Sequence, residues 1–252
     1  MGTHFKIITT CRNAEKWIAQ SIQSAQNQTY TDWQAVIIDD CSTDDTWEII
    51  QKQTKMSDRY LVFQNKQRQY QLHNIIDAIK LAEPEEEDVI VTLDGDDWFF
   101  NNEVLEYLAK VYSDPSIWIT WGSFIISNTR NRGPSARPIP EKWNTRTGRW
   151  IFSHLRTFKC FLWQGIKDED FRASWSGEYY PAGGDNAFMR PMIEMAGPDH
   201  RKFIDRILYV YNGENPASVH RVTAKLQTRC SDEVKKKAPY SQISKPRCKN
   251  EL

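Results

Sequence analysis

A chain of 252 residues, 40% of them hydrophobic, carries enough apolar material for a full core, and one large α/β domain with an appendage is the expected organisation. The formal net charge is zero, so no nucleic-acid partner is expected, although residues 221–252 hold nine Lys or Arg against three acids and leave the body mildly acidic. Five cysteines (Cys11, Cys41, Cys160, Cys230, Cys248) are odd in number, scattered and without a CxxC pair, which argues against a zinc site or a disulfide framework.

Phe5 to Thr9 reads as a short strand. Ala14 to Gln26 places Trp17, Ile18, Ile22 and Ala25 at helical spacing, and Trp33 to Ile38 reads as a second strand ending at Asp39 and Asp40. Asp44 or Asp45 can cap a helix carrying Trp47, Ile49 and Ile50. Tyr60 to Gln64 reads as a strand, and Leu72 to Leu81 repeats the helical pattern with Ile75, Ile76 and Ile79. Val89, Ile90 and Val91 come next without polar alternation, the pattern of a strand buried on both faces. Strands alternating with helices predict a mainly parallel sheet with right-handed crossovers, whose ligands bind outside the carboxyl ends of the strands.

That edge gathers polar groups from distant parts of the chain: Thr9 and Thr10, Asp39 and Asp40, Asn65, and Asp94-Gly95-Asp96. Asp94 and Asp96, two apart on an extended chain, can offer oxygens to one hard divalent cation, while Gly95 lets the backbone approach closely. Asp and Gly are also ordinary turn residues, so a solvated acidic turn suits the same stretch. A carboxylate at a strand end can accept a nucleobase N–H or a ribose hydroxyl, and a metal on a second acidic pair can bridge phosphates, so a nucleoside diphosphate fits the crevice. The chain has neither GxGxxG after its first strand nor GxxxxGK[ST], which leaves the phosphates to be neutralised by metal.

Ile7-Ile-Thr-Thr-Cys-Arg-Asn13, Ala19-Gln-Ser-Ile-Gln-Ser-Ala-Gln-Asn-Gln-Thr-Tyr30, Asp32-Trp33 and Val36-Ile-Ile-Asp-Asp-Cys-Ser-Thr-Asp-Asp-Thr46 resemble the opening of the GT-A glycosyltransferases of family 2, and Leu93-Asp-Gly-Asp-Asp-Trp98 resembles their DxD motif. The resemblance covers roughly the first 125 residues. It implies a GT-A (Rossmann-like) α/β fold, a nucleotide-sugar donor that is most often UDP-linked, Mn²⁺ or Mg²⁺, and inversion at the anomeric carbon. One departure is visible, since the usual Tyr-Asn after the first strand is Arg12-Asn13 here. By position, the resemblance implies that Thr9, Thr10, Asn13 and Asn65 surround the nucleotide, with Thr10 beside the uracil. It implies that Asp40 accepts the base N–H with Asp39 nearer the strand core, that Asp94 and Gly95 face the ribose or donor sugar, and that Asp96 binds metal together with Asp94. Asp39-Asp40 equally suits a turn or cap ahead of Ser42 and Thr43, and Asp97 can equally cap the segment after it.

In the second half, Trp118 to Phe124 reads as a strand, and Ser127 to Arg149, rich in Arg, Pro, Asn and Gly, reads as a mobile loop of lid length. Phe152 to Phe158 and Phe161 to Trp163 read as an aromatic helical segment, and Tyr179 to Asn186 leads into a helix with Met189, Met192, Ile193 and Met195. Trp163, Trp175 and Tyr180 are candidates to stack on an acceptor sugar or peptide, though an aromatic stripe also suits a core. An inverting transfer needs a carboxylate to take the acceptor hydroxyl's proton. Asp185 occupies the position of the family's acidic catalytic motif, and it would also serve as a helix N-cap. Tyr209 to Asn212 ends a further strand, and the family's use of a C-terminal His as a third metal ligand makes His220 a candidate.

The expected organisation is a donor half (1–125), an acceptor-binding and catalytic half of the same domain (126–220) and a basic tail (221–252) read as a solvated end. The expected function is inverting transfer of a sugar from a UDP-sugar to a hydroxyl of a glycan or protein. Two alternatives remain. A haloacid-dehalogenase-like phosphatase also places a DxD after a hydrophobic strand, but wants Thr or Val where Trp98 stands. A non-catalytic nucleotide-sugar module would bind without turnover. No stretch approaches a membrane span and no signal peptide precedes Phe5, which reads as cytoplasmic; Lys249-Asn-Glu-Leu252 resembles an endoplasmic-reticulum retrieval signal, so the lumen is the alternative.

Overall fold

The computed structural model describes residues 2–134, 136–215 and 224–244. Its first half keeps the alternation of the sequence: β1 (Phe5–Cys11), α1 (Ile18–Gln26), β2 (Trp33–Asp39), α2 (Thr46–Thr54), β3 (Tyr60–Gln64), α3 (Gln71–Leu81) and β4 (Val89–Asp94). All seven residues of β1 are buried because helices cover both faces of the sheet, which removes any polar alternation. β1 lies between β2 and β4, β3 lies outside β2, and all these pairings are parallel. The register sets Thr10 opposite Asp94, Cys11 opposite Asp39 and Asp39 opposite Gln64, so the expected polar groups share one edge.

The second half comprises β5 (Trp98–Phe99), α4 (Val104–Tyr112), β6 (Ile119–Ile126), β7 (Arg156–Lys159), α5 (Cys160–Gln164), α6 (Gly184–Ala196), β8 (Arg201–Tyr211) and α7 (Ala224–Lys236). The strands form one sheet in the order β3-β2-β1-β4-β7-β6-β8-β5. It is parallel through the first four strands and mixed beyond them, since β7 runs antiparallel to both β4 and β6.

Three expectations are corrected here. The stretch Phe152 to Phe158 is not helical: Arg156–Lys159 is a strand that covers the open edge of β4, pairing Thr92 with Arg156 and Val89 with Lys159. All four of its residues are buried, so it lacks the period-two signal that would have marked it as a strand. The long loop is not a free lid over its last third, because two buried guanidiniums hold it. Arg146 pairs with Glu194 through Nε and Nη2 at 2.7 and 2.6 Å, and Arg190 of α6 donates to the carbonyls of Thr145 and, at 3.3 Å, Gly148. The basic tail is not wholly solvated, since α7 buries Cys230 and Val234 in the core that contains Met189, Met192 and Ile193 of α6. Beyond α7, the Ile243 N–H bonds to Met195 O at 2.9 Å.

Candidate functional site

At the end of β4 the chain turns sharply against β1. Gly95 N–H donates to Thr10 O at 3.1 Å, and Asp97 N–H to Asp94 O at 3.0 Å closes the turn. A Cβ on Gly95 would lie 2.4 Å from the Cys11 Cβ, so only glycine allows this approach. The turn fans out three carboxylates, and each meets a different part of the chain.

Asp94 Oδ1 accepts from Gln71 Nε2 at the start of α3, at 2.8 Å. Asp96 Oδ2 accepts from Asn215 Nδ2 at 2.7 Å. Asp97 lies inside the protein, where Oδ2 accepts from the Tyr209 hydroxyl at 2.6 Å and Oδ1 from the Asn212 N–H at 2.7 Å. Burial pushes the Asp94 carboxyl up to about 6, with the Arg156 charge opposing the shift and Asp96 and Asp185 adding to it. Burial also raises Asp96, against the Asn215 hydrogen bond, and lifts Asp97 well above the usual range with help from Asp96 and Asp94. Asp97 therefore anchors the turn and is not the helix cap its sequence position suggested.

The β2 edge is held by its own loops. Asp39 accepts from the Ser42 hydroxyl and from Gln64 Nε2 at 2.9 Å. Asp40 Oδ1 accepts from Asn65 Nδ2 at 3.0 Å and Gln69 N–H at 2.7 Å, while Oδ2 accepts from Tyr70 N–H at 3.0 Å. Asp40 thus shapes the loop that enters α3 and brings Asn65 beside Asn74. Asn13, with φ 51°, accepts from Thr43 N–H at 3.0 Å and ties the end of β1 to the loop after β2. Thr9 and Thr10 are buried in the same edge.

Asp185 stands in the first turn of α6, with a side chain 23% exposed. Its Oδ1 accepts from Asn186 N–H at 3.0 Å, and its Oδ2 lies 3.8 Å from Arg156 Nη1. Of the acceptor candidates, Trp163 and Tyr180 are core residues. Trp163 stacks on Phe158 and Phe171, and the Tyr180 hydroxyl donates to Glu233 at 3.1 Å. Neither ring offers a face to an acceptor, because apolar packing gains more from enclosing them. Trp175 is half-buried with the Arg229 guanidinium 3.8 Å over its ring. His220 lies outside the described residues.

The sequence reading missed Arg156, His154, Gln71, Tyr209 and Asn215. Arg156 as the one Lys or Arg between Phe152 and Phe158 was the available signal, since charged residues are seldom buried without a partner. Asp94, Asp97 and His154 have ligand atoms within 4.8 Å of one another. Both Asp97 oxygens already accept hydrogen bonds, and burial with the nearby Arg156 charge lowers His154 well below its ordinary value. Asp94 and Asp96 each accept one side-chain hydrogen bond among the described residues, through a single carboxylate oxygen.

The profile of the family described as "Glycosyl transferase family 2" matches residues 6–172. The chain belongs to glycosyl transferase family 2. Within family 2 it is 31% identical over 212 residues to Escherichia coli (strain K12) WcaA, named as a colanic acid biosynthesis glycosyl transferase, covering 80% of this chain and 71% of the relative. Two solved structures share the GT-A fold. Staphylococcus aureus TarS 1-349 in complex with UDP-GlcNAc superposes with a TM-score of 0.65 at 20% identity, over 84% of this chain and 59% of that 1-349 chain. The Pyrobaculum calidifontis mannosyltransferase PcManGT, in complex with GDP-Man and Mn²⁺, gives 0.61 at 16% identity over 86% of this chain and 59% of that one. Alignments with two Bacillus subtilis (strain 168) proteins named as glycosyltransferases, TuaG and EpsE, span only 21% and 38% of those proteins.

Proposed function

We propose that this chain is an inverting glycosyltransferase that moves a sugar from a UDP-linked donor to a hydroxyl of a glycan or protein, with Mn²⁺ or Mg²⁺ at Asp94 and Asp96. The observation that carries this reading is the meeting of two carboxylate groups from opposite halves of the chain. Asp94 and Asp96 come from the end of β4 and Asp185 from the start of α6, and the two are brought together at Arg156, which pairs with Thr92 of β4 and lies 3.8 Å from Asp185. The UDP-GlcNAc complex of TarS and the GDP-Man and Mn²⁺ complex of PcManGT support the donor class and the ion. The family assignment gives the phosphatase alternative no support.

In this reading Asp40, Asn65 and Thr10 define the nucleoside end of the crevice, and Asp94 orients the ribose or donor sugar. A bound divalent cation supplies charge neutralisation for the departing diphosphate. Asp185 Oδ2 takes the proton of the acceptor hydroxyl as its oxygen attacks the anomeric carbon from the face opposite the diphosphate. Asp185 is suited to this by its partial exposure and by having its other oxygen fixed on the Asn186 N–H.

The direct test is a screen of UDP- and GDP-sugars for slow hydrolysis with Mn²⁺, read as nucleotide release, which requires no knowledge of the acceptor. Mn²⁺-dependent release from a UDP-sugar is expected. Nucleotide binding with no release from any donor would favour a non-catalytic module.

A further inference from the structure

The cation between the two carboxylate groups has no assigned role. Arg156 sits in β7 directly opposite Thr92, two residues before Asp94, so the antiparallel insertion of β7 delivers its guanidinium to the acidic edge. Its side chain is 7% exposed. Nη1 lies 3.8 Å from Asp185 Oδ2 and 3.4 Å from His154 Nε2, and Nε has no hydrogen-bond partner among the described residues. A buried guanidinium that makes so few bonds is a poor way to stabilise a strand, because its desolvation is not repaid by neighbours.

Its surroundings are built to keep it in place. His154 stacks on the Tyr209 ring at 4.5 Å, and burial keeps the imidazole neutral, so Nε2 can accept from Arg156. Asp185 has Oδ1 committed to the Asn186 N–H, which leaves Oδ2 as the oxygen turned to Arg156. Arg190 on α6 also acts on Asp185, but its donors are spent on Asn186 and the carbonyls of residues 145–148. We propose that Arg156 is a positioning residue for Asp185: its buried guanidinium, held by β7, fixes Oδ2 toward the incoming hydroxyl. This rests on Asp185 being the proton acceptor.

The test is a double-mutant cycle on the nucleotide sugar that the wild-type chain hydrolyses fastest, with Arg156→Gln, Asp185→Asn and the double variant. Arg156→Gln is expected to lower kcat about 10- to 100-fold, the scale of a misplaced catalytic group. The donor KM and the UDP Kd should stay within about twofold, and Arg156→Lys should recover part of kcat because it restores charge without the planar fork. If Arg156 acts through Asp185, the double variant should be no slower than Asp185→Asn. A double variant slower by the product of the two single effects would overturn the proposal while leaving Asp185 as the base. Near-normal turnover in Asp185→Asn would instead sink the base and this role with it. Loss of UDP affinity in Arg156→Gln matching the loss in kcat would also overturn the proposal. Should Arg156→Gln not fold, the same cycle run with Arg156→Lys decides between these outcomes.

Discussion

The Tyr209 hydroxyl donates to Asp97 Oδ2 at 2.6 Å and accepts from the Asp94 N–H at 3.3 Å, so one phenol on β8 grips the acidic turn at both ends. Tyr209→Phe removes a buried bond to a carboxyl and should lower stability by about 1.5–3 kcal/mol. Urea unfolding is the check, and a loss below about 0.5 kcal/mol would mean that the turn keeps its shape without this grip.

Asp96→Ala should abolish Mn²⁺-dependent UDP binding, seen by calorimetry with and without the ion, while leaving the fold close to wild type. Asp96 is half-buried and, among the described residues, makes one side-chain bond, to Asn215. For Mn²⁺-dependent binding Asp97→Ala should be the milder change, because the Asp97 carboxyl lies inside the protein. For stability the reverse is expected, because its loss strands both the Tyr209 hydroxyl and the Asn212 N–H inside the protein.

Asp185→Asn should lower turnover by about two to four orders of magnitude and leave UDP affinity within a small factor. Asn can still accept from the Asn186 N–H, so the start of α6 is preserved. A variant with near-normal turnover would reduce Asp185 to a helix cap.

Asp94, Asp96 and Asp97 all have carboxyl pKa values above those of the unfolded chain, chiefly through burial. The folded state therefore holds their protons more tightly than the unfolded state. The resulting stabilisation is complete below the unfolded value of 3.8 and, for Asp94, is lost as pH rises through about 6. In chelator-treated protein, moving from pH 8 to pH 5 should shift the contribution of this turn in favour of folding by on the order of 1–2 kcal/mol. Asp94→Asn should flatten that part of the profile, and an unchanged slope in the variant would count against it.

Glu194→Ala leaves Arg146 enclosed without its carboxylate and frees the Tyr240 N–H, which also donates to Glu194. The cost should be about 3 kcal/mol, a fall in Tm of about 6–12 °C for a chain of this size. Calorimetry measures the fall, and limited proteolysis should begin near Thr145 to Gly148 once the segment is released.

The first 125 residues were legible because each of their signals is local. The βα alternation, the polar residues at strand ends and the apolar run before Asp94 all arise from neighbours in sequence. The second half was legible only where periodicity survived, as in α6 with Met189, Met192 and Ile193. It failed where a residue's role is set by distant partners. Arg156 looked like part of a helix because both faces of β7 are covered, and Trp163 was left between platform and core because its enclosure by Phe158, Phe171 and Phe188 cannot be read from spacing. Asp40 is a related case: its three loop-anchoring bonds reach residues 65–70, which no local pattern ties to it.

The position of β7 bears on how the chain reaches this state. The strand that completes one side of β4 is synthesised 64 residues after it, as the pairing of Thr92 with Arg156 shows. During synthesis β4 therefore has β1 as its neighbour on one side while its other edge stays open until the Arg156–Lys159 segment leaves the ribosome. Such an edge is a template for mispairing, and closing so long a loop slows the step that protects it. A fragment ending near residue 125 should accordingly self-associate, and the acidic turn should acquire its fixed shape only when both β7 and β8 are in place.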